Sequence, residues 1–600
     1  MSYLSQNGSV GRKLFVYVCL NAVLSIAMGF LLASEIRWSW VPMFAALPAF
    51  CILILASSFP ANAIVNRCMT TFFKPRRLPM ENDFTLSDNC ATLVVVHALI
   101  QSIENSQRLI SDLETRFMAN PDKNVRYALL TDYQDSLSRD LPQDKPLLSY
   151  IVDAILVLNA RFGESFLLLH RDRQWNPRER IWMGHERKRG KLAALNAFLC
   201  SGCRDSTFST VVGDKKWLAR VKYVITLDAD TRLLPGVVNS LVATMESSGN
   251  RPHYDCVKRR IIQGYGVLQP RPVQLSSETA PTRYQLIFCD EIQPLSHGVL
   301  KSDIYQDLFG EGSFYGKGIY NVKAFGCALA DRVPCNQVLS HDLLEGCYAR
   351  SGIVSDVVFP EEYPQNLHAD LKRRHRWTRG DWQLGPWLLP YVLNEQGTIE
   401  RNPISFLGKW KILDNIRRTL LPIAFTISFL LGWLYSPTPM SWTALIVGLL
   451  FLPALLTFSF PIRRVERGGD LNGLPDFRPF VKELLRAWLR LIFLIHESFV
   501  LSDAIFRALW RMLVSRRGLL DWLPSDSSTT SGAPTFIECI RRMKFSLFAV
   551  IVIAAALSHF EPQAFTSAIP VLSIWGFAPI IAWWLGQPLG STAATGNPLA

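Results

Sequence analysis

Six apolar segments, arranged in three pairs, constrain the fold of this 600-residue chain more than any other feature. A helix needs about 20 apolar residues to cross the roughly 30 Å hydrocarbon core of a bilayer. Short turns separate the two members of each pair, which predicts three membrane-spanning helical hairpins. The predicted spans are residues 14–33, 38–59, 419–435, 442–460, 545–560 and 568–585.

Basic residues predict the orientation of these hairpins, because Lys and Arg are retained on the cytoplasmic side of a membrane. They flank the open ends of the hairpins, whereas the tips at residues 436–441 and 558–566 carry none. No cleavable signal is evident, since the first apolar run is full length and a second follows at once. We therefore expect a multi-pass protein of a bacterial-type inner membrane. The basic flanks include Arg12, Lys13, Arg417, Arg418, Arg541, Arg542 and Lys544.

The spans divide the chain into three predicted parts. Residues 1–78 form an N-terminal hairpin, residues 79–400 a cytoplasmic domain, and residues 401–600 the other four spans. Residues 410–418 and 488–511 are rich in aromatic and basic side chains, which predicts helices that lie in the membrane interface.

The net charge of +13 is compatible with binding to nucleic acid, but much of the excess lies in the stretches beside the spans. Anionic lipid headgroups are the simpler partner for such juxtamembrane charge. The composition therefore predicts contact with membrane lipid and no nucleic-acid partner.

Residues 79–400 alternate strand-like and helix-like patterns, as a doubly wound α/β sheet requires. Apolar runs at residues 92–96, 127–132, 166–170 and 221–228 predict buried strands, and residues 100–118 predict an amphipathic helix. Asp132 ends the second strand, where it is either a ligand-binding acid or an ordinary turn or cap residue. The pattern predicts a nucleotide-binding domain inserted between membrane hairpins.

Asp228 and Asp230 follow the apolar run Val224–Leu227, so both carboxylates emerge at the carboxyl end of a predicted strand. Open α/β sheets bind their ligands at this edge. A carboxylate pair suits Mg²⁺ or Mn²⁺, which completes its ligand shell with water and substrate phosphate. An Asp-x-Asp in a solvated turn is the alternative, and it is common.

A basic loop at residues 185–191 leads into a predicted helix near Gly190. Free N–H groups at a helix N-terminus and the charge of Lys191 both favour an anion such as a diphosphate. A solvated run of charge is the alternative for this loop.

Two later motifs carry further candidate residues. Asp342 and Glu345 lie three residues apart on one face of a predicted helix, where Asp342 is a candidate general base or simply a helix cap. Arg373, Arg376 and Trp377 belong to a strongly basic cluster. Guanidinium groups bind diphosphates bidentately and an indole supports a sugar ring, while attachment to the membrane surface is the alternative.

Asp132, the Asp228–Asp230 pair, Asp342 and the Arg376–Trp377 motif resemble, in order and spacing, the processive inverting glycosyltransferases typified by cellulose, chitin and hyaluronan synthases. The resemblance implies a GT-A, Rossmann-like nucleotide-diphospho-sugar transferase domain. It implies that Asp132 contacts the nucleoside, that the pair holds metal and diphosphate, and that Asp342 is the base. Arg373 stands where those enzymes have Gln in a Gln-x-x-Arg-Trp motif, which argues against the cellulose branch.

Longer strings at residues 182–192, 302–320, 339–352 and 374–382 resemble the glycosyltransferase region of cyclic β-1,2-glucan synthases. This implies transfer of glucose from UDP-glucose to a glucan acceptor, with Lys191, Arg373 and Arg376 at the diphosphate. It also implies that Lys317 and Trp377 contact the acceptor. His97 is a small departure, because related folds often have Pro after the first strand.

Cyclic β-1,2-glucan synthases carry a glycoside-phosphorylase-like domain beyond their spans. The resemblance therefore implies either a further C-terminal domain or a separate subunit of that kind. Two other functions stay open at this point. One is the synthesis of another β-glucan or of an N-acetylglucosamine polymer. The other is a glycan-export or scaffold subunit with a decayed transferase domain, which would predict the loss of an acid or of the Arg-Trp motif.

Overall fold

The computed structural model describes residues 2–73, 75–81, 83–204, 207–277, 280–289, 303–459, 477–521 and 533–589. Residue 460, at the end of a predicted span, and residue 302, at the start of one string, lie outside them. An α/β domain is flanked on both sides by long apolar helices, which confirms the predicted fold class.

The helices alternate with strands only in the middle of the chain. They are α1 Ser2–Ser34, α2 Met43–Phe72, α3 Ile103–Ala119, α4 Asp144–Phe162, α5 Arg187–Cys200, α6 Lys215–Leu218, α7 Val237–Glu246, α8 Arg283–Phe288, α9 Ile304–Phe309, α10 Val322–Leu329, α11 Asp342–Ala349, α12 Leu367–Gln383, α13 Phe406–Tyr435, α14 Pro439–Ser459, α15 Arg478–Trp510, α16 Phe536–Phe560 and α17 Pro562–Leu585.

The strands form one large mixed sheet and three small hairpins. They are β1 Thr92–Ile100, β2 Val125–Tyr133, β3 Phe166–Arg171, β4 Gln174–Asn176, β5 Ile181–Met183, β6 Thr210–Val212, β7 Tyr223–Asp228, β8 His253–Asp255, β9 Arg260–Gln263, β10 Val267–Leu275, β11 Gly318–Asn321, β12 Ser351–Glu362, β13 Tyr391–Leu393 and β14 Ile399–Arg401. The large sheet has the order β12-β10-β11-β7-β1-β2-β3-β6.

The centre of the large sheet is buried on both faces. Leu93 and Val95 of β1 pack into one apolar cluster, and Val94 and Val96 pack into the other. Side chains alternate between the faces of a strand, so a run of apolar residues without polar interruption fits a sheet covered on both sides. Helices α3, α4 and α7 cover one face, and α5, α10 and α11 cover the other.

Six helices of the described residues are long and apolar enough to cross a membrane. They lie at residues 10–34, 43–72, 406–435, 439–457, 536–560 and 562–585, each overlapping a predicted span. Gly432 lets two of them approach closely, because a Cβ there would lie 1.8 Å from the ring of Trp442. Such contacts through small residues are typical of helix pairs in membranes.

The structure corrects some details of the sequence prediction. Residues 410–418 were expected to form a separate interfacial helix, but they are the first turns of the continuous helix α13. The amphipathic stretch at 488–511 lies within α15, which begins ten residues earlier, at Arg478. The helix after β1 begins at Ile103, because residues 97–100 extend the strand instead.

Candidate active site

Three parallel strands bring polar residues to one edge of the sheet. The register places His97 of β1 opposite Asp228 of β7, and Leu99 of β1 opposite Asp132 of β2. All three strands therefore end at the same level, and the two acids emerge on either side of β1. This is the ligand-binding edge of an open α/β sheet.

Asp228 is surrounded by basic groups. Its Oδ1 lies 2.5 Å from His97 Nε2 and 2.9 Å from Lys188 Nζ, and its Oδ2 lies 2.8 Å from Lys317 Nζ. Desolvation alone would raise the pKa of Asp228, but Lys188, Lys317 and His97 lower it well below its usual value. Burial and the charge of Lys188 lower the pKa of His97 to about 4, so the neutral ring donates its Nε2–H to Asp228.

Lys317 links three carboxylates at this edge. Its Nζ lies 2.8 Å from Asp228 Oδ2, 2.8 Å from Glu361 Oε1 and 4.0 Å from Asp230 Oδ1. Burial opposes the charge, but the three acids raise the pKa of Lys317. Lys317, the predicted acceptor contact, therefore lies beside the predicted metal ligands, and Asp230 remains 48% exposed.

A buried arginine holds the loop that carries the acid pair. Arg116 of α3 donates to the carbonyl of Ala229 at 2.7 Å and to that of Thr231 at 3.0 and 3.1 Å. Its side chain is almost fully buried. The guanidinium fork thus fixes the backbone on both sides of Asp230.

Asp132 lies in a buried ion-pair network. Arg171 binds it bidentately with two contacts of 2.9 Å, and Lys191 Nζ lies 3.5 Å from its Oδ2. Desolvation would raise the pKa of Asp132, but Lys191 and Arg171 lower it. Burial lowers the pKa of Lys191 to about 8. Gly184 is required beside this network, because a Cβ there would lie 2.2 Å from Asp132 Oδ2.

We expect Asp132→Asn to destabilise the protein by about 3–5 kcal/mol, because it leaves Arg171 and Lys191 buried without their counter-charge. The thermal midpoint of the detergent-solubilised protein measures this, with exposed Asp153→Asn as the matched control. The pKa of Asp132 is lower in the folded protein than in the unfolded chain, where it is about 3.9. Ionised Asp132 therefore stabilises the fold at pH values above about 3.9, and this stabilisation is lost as the pH falls through the pKa of the folded state. Equal midpoints for the two variants would contradict the ion-pair assignment.

Asp342 is the first residue of α11, as the sequence predicted for a residue at a helix start. It lies beside Gly316 in the loop before β11, and the carbonyl of Gly316 accepts a hydrogen bond of 3.0 Å from Lys188. A Cβ on Gly316 would lie 2.5 Å from Asp342 Oδ1, and its φ is +81°. Glycine at this position therefore lets Asp342 pack against the loop that also carries Lys317, a partner of Asp228.

Helix α12 presents the predicted Arg-Trp motif. The Arg373 guanidinium lies 4.7 Å from the ring centre of Trp377 and 4.9 Å from that of Tyr363, and its Nη2 lies 2.9 Å from Asp370 Oδ1. Arg373 therefore supports Trp377, whose ring is 47% exposed. Burial lowers the pKa of Arg376, while Asp228 and Asp230 raise it, so Arg376 lies within electrostatic range of the acid pair.

The other basic residues of this cluster pair with α15 and the segment after it. Arg374 binds Glu497 bidentately at 2.7 and 3.1 Å, and His375 lies 2.9 Å from Asp503. Arg379 donates to the carbonyl of Asp521 at 3.1 Å. One side of α12 thus faces the candidate site, while another side is tied to an amphipathic helix.

A cavity of about 740 Å³ begins at Asp342 and Trp377 and extends between the apolar helices. Its lining includes aromatic residues and a polar stripe of α13. Phe59, Phe425 and Leu450 of the spans also line it. Asp381 of α12 also faces it and accepts a hydrogen bond of 3.1 Å from Asn415. The cavity therefore joins the candidate base to the membrane region.

The alignment with one curated relative covers nearly the whole chain. This relative is the cyclic beta-(1,2)-glucan synthase NdvB of Rhizobium meliloti, 35% identical over 594 residues, or 96% of this chain. The chain is homologous to a cyclic β-(1,2)-glucan synthase. The resemblance found in the sequence motifs is thereby confirmed, although the chain spans only 20% of the length of this relative.

Other relatives match a shorter part. Glucans biosynthesis glucosyltransferase H is 28% identical over 180 residues in Cupriavidus pinatubonensis and over 182 residues in Escherichia coli K12. These matches cover 28% of this chain and 19% of each relative. A mannosyltransferase of Pyrobaculum calidifontis, solved with GDP-Man and Mn²⁺, aligns with 88% of this chain and 97% of its own at 11% identity and a TM-score of 0.30. No family model matches the chain.

Two groups of side chains among the described residues bring three potential metal-ligand atoms within 4.8 Å of one another. They are His185 with Glu186 and Cys335, and His341 with Asp342 and Glu345. In both groups the Glu already has a partner, since Glu186 binds Arg189 and Glu345 binds His341. Asp228 and Asp230 offer only oxygen ligands, which suit Mg²⁺ or Mn²⁺ better than these mixed sets do.

Sequence reasoning missed several residues of this site. The basic loop pointed to Lys191, but Lys188, one helical turn earlier, is the residue that reaches Asp228. His97 was noted only as a departure from related folds, and Glu361 and Arg116 belong to none of the motifs described above. Helical periodicity could have indicated Lys188, whereas the others lie far from Asp228 in the sequence.

Proposed function

We propose that the chain is a membrane-bound inverting glycosyltransferase that transfers glucose from UDP-glucose to a growing β-1,2-glucan. The observation that carries this is that the acid pair, Asp342 and the cavity into the membrane region all adjoin the loop before β11. Homology over nearly the whole chain to a cyclic β-(1,2)-glucan synthase supports the choice of product.

The donor diphosphate would lie at the edge of the sheet beside Asp228. Lys188, Lys317 and Arg376 converge there, and guanidinium and ammonium groups bind phosphate oxygens strongly. Asp132, with Lys191 and Arg171 behind it, lies on the other side of β1 from Asp228, where it would contact the nucleoside. Lys191 and Arg373 therefore act mainly by holding Asp132 and Trp377 in place.

A divalent cation, Mg²⁺ or Mn²⁺, would be held by Asp228 and Asp230. The residues fit such an ion, because three carboxylates already surround one positive charge, the ammonium of Lys317. When bound, the ion neutralises charge on the departing diphosphate. Lys317 would then contribute its charge to the donor.

Asp342 is the proposed general base. It accepts the proton of the attacking acceptor hydroxyl while that oxygen forms the new bond to the anomeric carbon. The bond from this carbon to UDP breaks on the opposite face, so the configuration inverts. The indole of Trp377, exposed in the cavity, would support the acceptor sugar.

The membrane helices would receive the product. A cavity that runs from Asp342 between the spans gives the growing glucan a path away from the base. With the orientation set by the basic flanks, the domain at residues 79–400 would be cytoplasmic and the glucan would leave towards the other side. A glycoside-phosphorylase-like domain or subunit remains the proposed partner for cyclisation.

We expect Arg116→Lys to raise the concentration of divalent cation needed for half-maximal activity by about 10- to 100-fold, the usual effect of removing an outer-shell partner. A lysine cannot donate to two carbonyls in a fork, so the loop carrying Asp230 loosens. A titration of Mn²⁺ measures this effect. Arg108→Lys, on the exposed side of the same helix, is the control. An unchanged Mn²⁺ requirement would show that the hydrogen bonds of Arg116 to this loop do not affect the metal site.

The proposed function is tested with membranes that contain the protein, incubated with radiolabelled UDP-glucose and Mn²⁺. We expect incorporation into a polymer, and linkage analysis should find β-1,2 bonds. Asp342→Asn membranes serve as the control for background synthases. Incorporation only from another UDP-sugar would overturn the donor, and no incorporation from any sugar nucleotide would favour an export or scaffold role.

A further inference from the structure

His341 lies directly before the proposed base and is almost completely buried. Its Nδ1 is 2.7 Å from Glu345 Oε1 and 3.6 Å from Asp342 Oδ1. Glu345 is one helical turn further along α11 and is also buried. One imidazole therefore stands between two carboxylates, of which only Asp342 lines the cavity.

The inner oxygen of Asp342 depends on this imidazole for favourable charge. Asp342 Oδ1 is buried and accepts no hydrogen bond from any residue that the structure describes. Two carboxylates this close repel each other unless a positive charge lies between them. An imidazolium at His341 supplies that charge to both acids.

The groups around His341 favour its charged form. Burial alone would lower the pKa of His341, and Lys188 of α5 also lowers it, but Glu345 and Asp342 raise it above its usual value. Tyr320 of β11 faces Glu345 from the sheet, and burial and Glu345 raise its pKa, so it stays a neutral phenol. Glu345 is therefore the charge that holds His341 in its protonated state.

We propose that His341 and Glu345 form a positioning pair that keeps Asp342 ionised and oriented for proton removal from the acceptor. This rests on the proposed function, in which Asp342 is the base. Glu345 acts through His341 and touches no reacting atom. The imidazolium is present below the raised pKa of His341, and over that range its positive charge lies 3.6 Å from Asp342 Oδ1.

The test is the pH dependence of polymer synthesis in His341→Gln and Glu345→Gln, measured from pH 5 to 9 at saturating donor. His341→Gln leaves two carboxylates without the positive charge between them, so we expect the acid limb of its rate profile to move to higher pH by about 1 unit. Glu345→Gln removes the charge that raises the pKa of His341, so we expect its alkaline limb, where the imidazolium is lost, to move to lower pH. Glu345→Asp keeps the charge and should leave both limbs close to those of the wild type. UDP binding should change less than twofold in all three variants, which checks folding.

A purely structural role predicts something different. If the Gln variants lose the same fraction of activity at every pH, or if neither limb moves, the positioning role is overturned. The Glu345→Gln and Glu345→Asp pair decides this even if His341→Gln fails to fold. The assay uses whichever sugar nucleotide the wild-type membranes turn over, so a wrong donor sugar leaves it intact. Wild-type membranes that are inactive with every sugar nucleotide would overturn the proposed function as well.

Discussion

Asp342→Asn should lower the turnover number on the order of 10²- to 10⁴-fold, the usual contribution of a general base. The substitution keeps the shape of the side chain but removes the oxygen charge that accepts the acceptor's proton. Asp342 lines the cavity, whereas Lys188 and Lys317 pair with Asp228 and not with Asp342, so donor binding should persist. A large loss of kcat with an unchanged KM for UDP-glucose is therefore expected.

Single-turnover incorporation of labelled glucose, with UDP affinity measured separately, checks this expectation. Exposed Asp153→Asn controls for the loss of one carboxylate from the domain. Near-normal turnover in Asp342→Asn would remove this residue from the mechanism. A parallel loss of UDP affinity would instead place it in donor binding.

Asp230→Asn should have the second large effect. Metal-ion charge stabilisation contributes several kcal/mol, so removal of one ligand should reduce turnover on the order of 10²- to 10³-fold and abolish the normal Mn²⁺ dependence. Asp230 suits this test better than Asp228, because Asp228 also balances His97, Lys188 and Lys317. Asp230 is half exposed, so its replacement should leave the fold intact.

The matched control is Glu362→Gln, an exposed carboxylate next to Glu361 on β12. Its activity and Mn²⁺ titration should match those of the wild type. If Asp230→Asn kept its full metal dependence, the metal would have to be bound elsewhere. Isothermal titration with Mn²⁺ and UDP together separates these outcomes.

The sheet could be predicted from the sequence because its signal is local. Each central strand is an apolar run that ends in a polar residue, and parallel strands meet at one edge whatever their order. This was enough to bring Asp132, Asp228 and Asp230 to the same edge. The start of α11 at Asp342 was also predicted, since the polar turn before it and the acids after it are typical of a helix N-terminus.

The basic side chains of the site could not be predicted from local sequence patterns. Lys317 and Asp228 are far apart in the sequence and meet only because β11 pairs with β7 in antiparallel register. Arg116 reaches the acid-pair loop across the face of the sheet, at a separation of 115 residues. Periodicity says which face a residue takes, but it does not say which distant loop packs on that face.

The interface between domain and membrane was predicted only in part. Aromatic and basic residues at 410–418 fit an interfacial helix, but backbone hydrogen bonds continue through them into α13. Composition cannot locate a helix break where no Gly, Pro or capping residue stands between two helical patterns. Ser405, whose side chain accepts from Gly408 N, caps the combined helix at its true start.

The bidentate ion pair between Arg374 and Glu497 determines which form of this protein can be used for biochemistry. Arg374 belongs to the helix that carries Arg376 and Trp377, whereas Glu497 belongs to α15, which packs among the membrane helices. A soluble fragment cut before α13 would leave this arginine without its counter-charge and uncover the apolar side of α12. The α/β domain therefore has no suitable truncation boundary where it meets the membrane helices. Kinetic work requires the domain together with these helices.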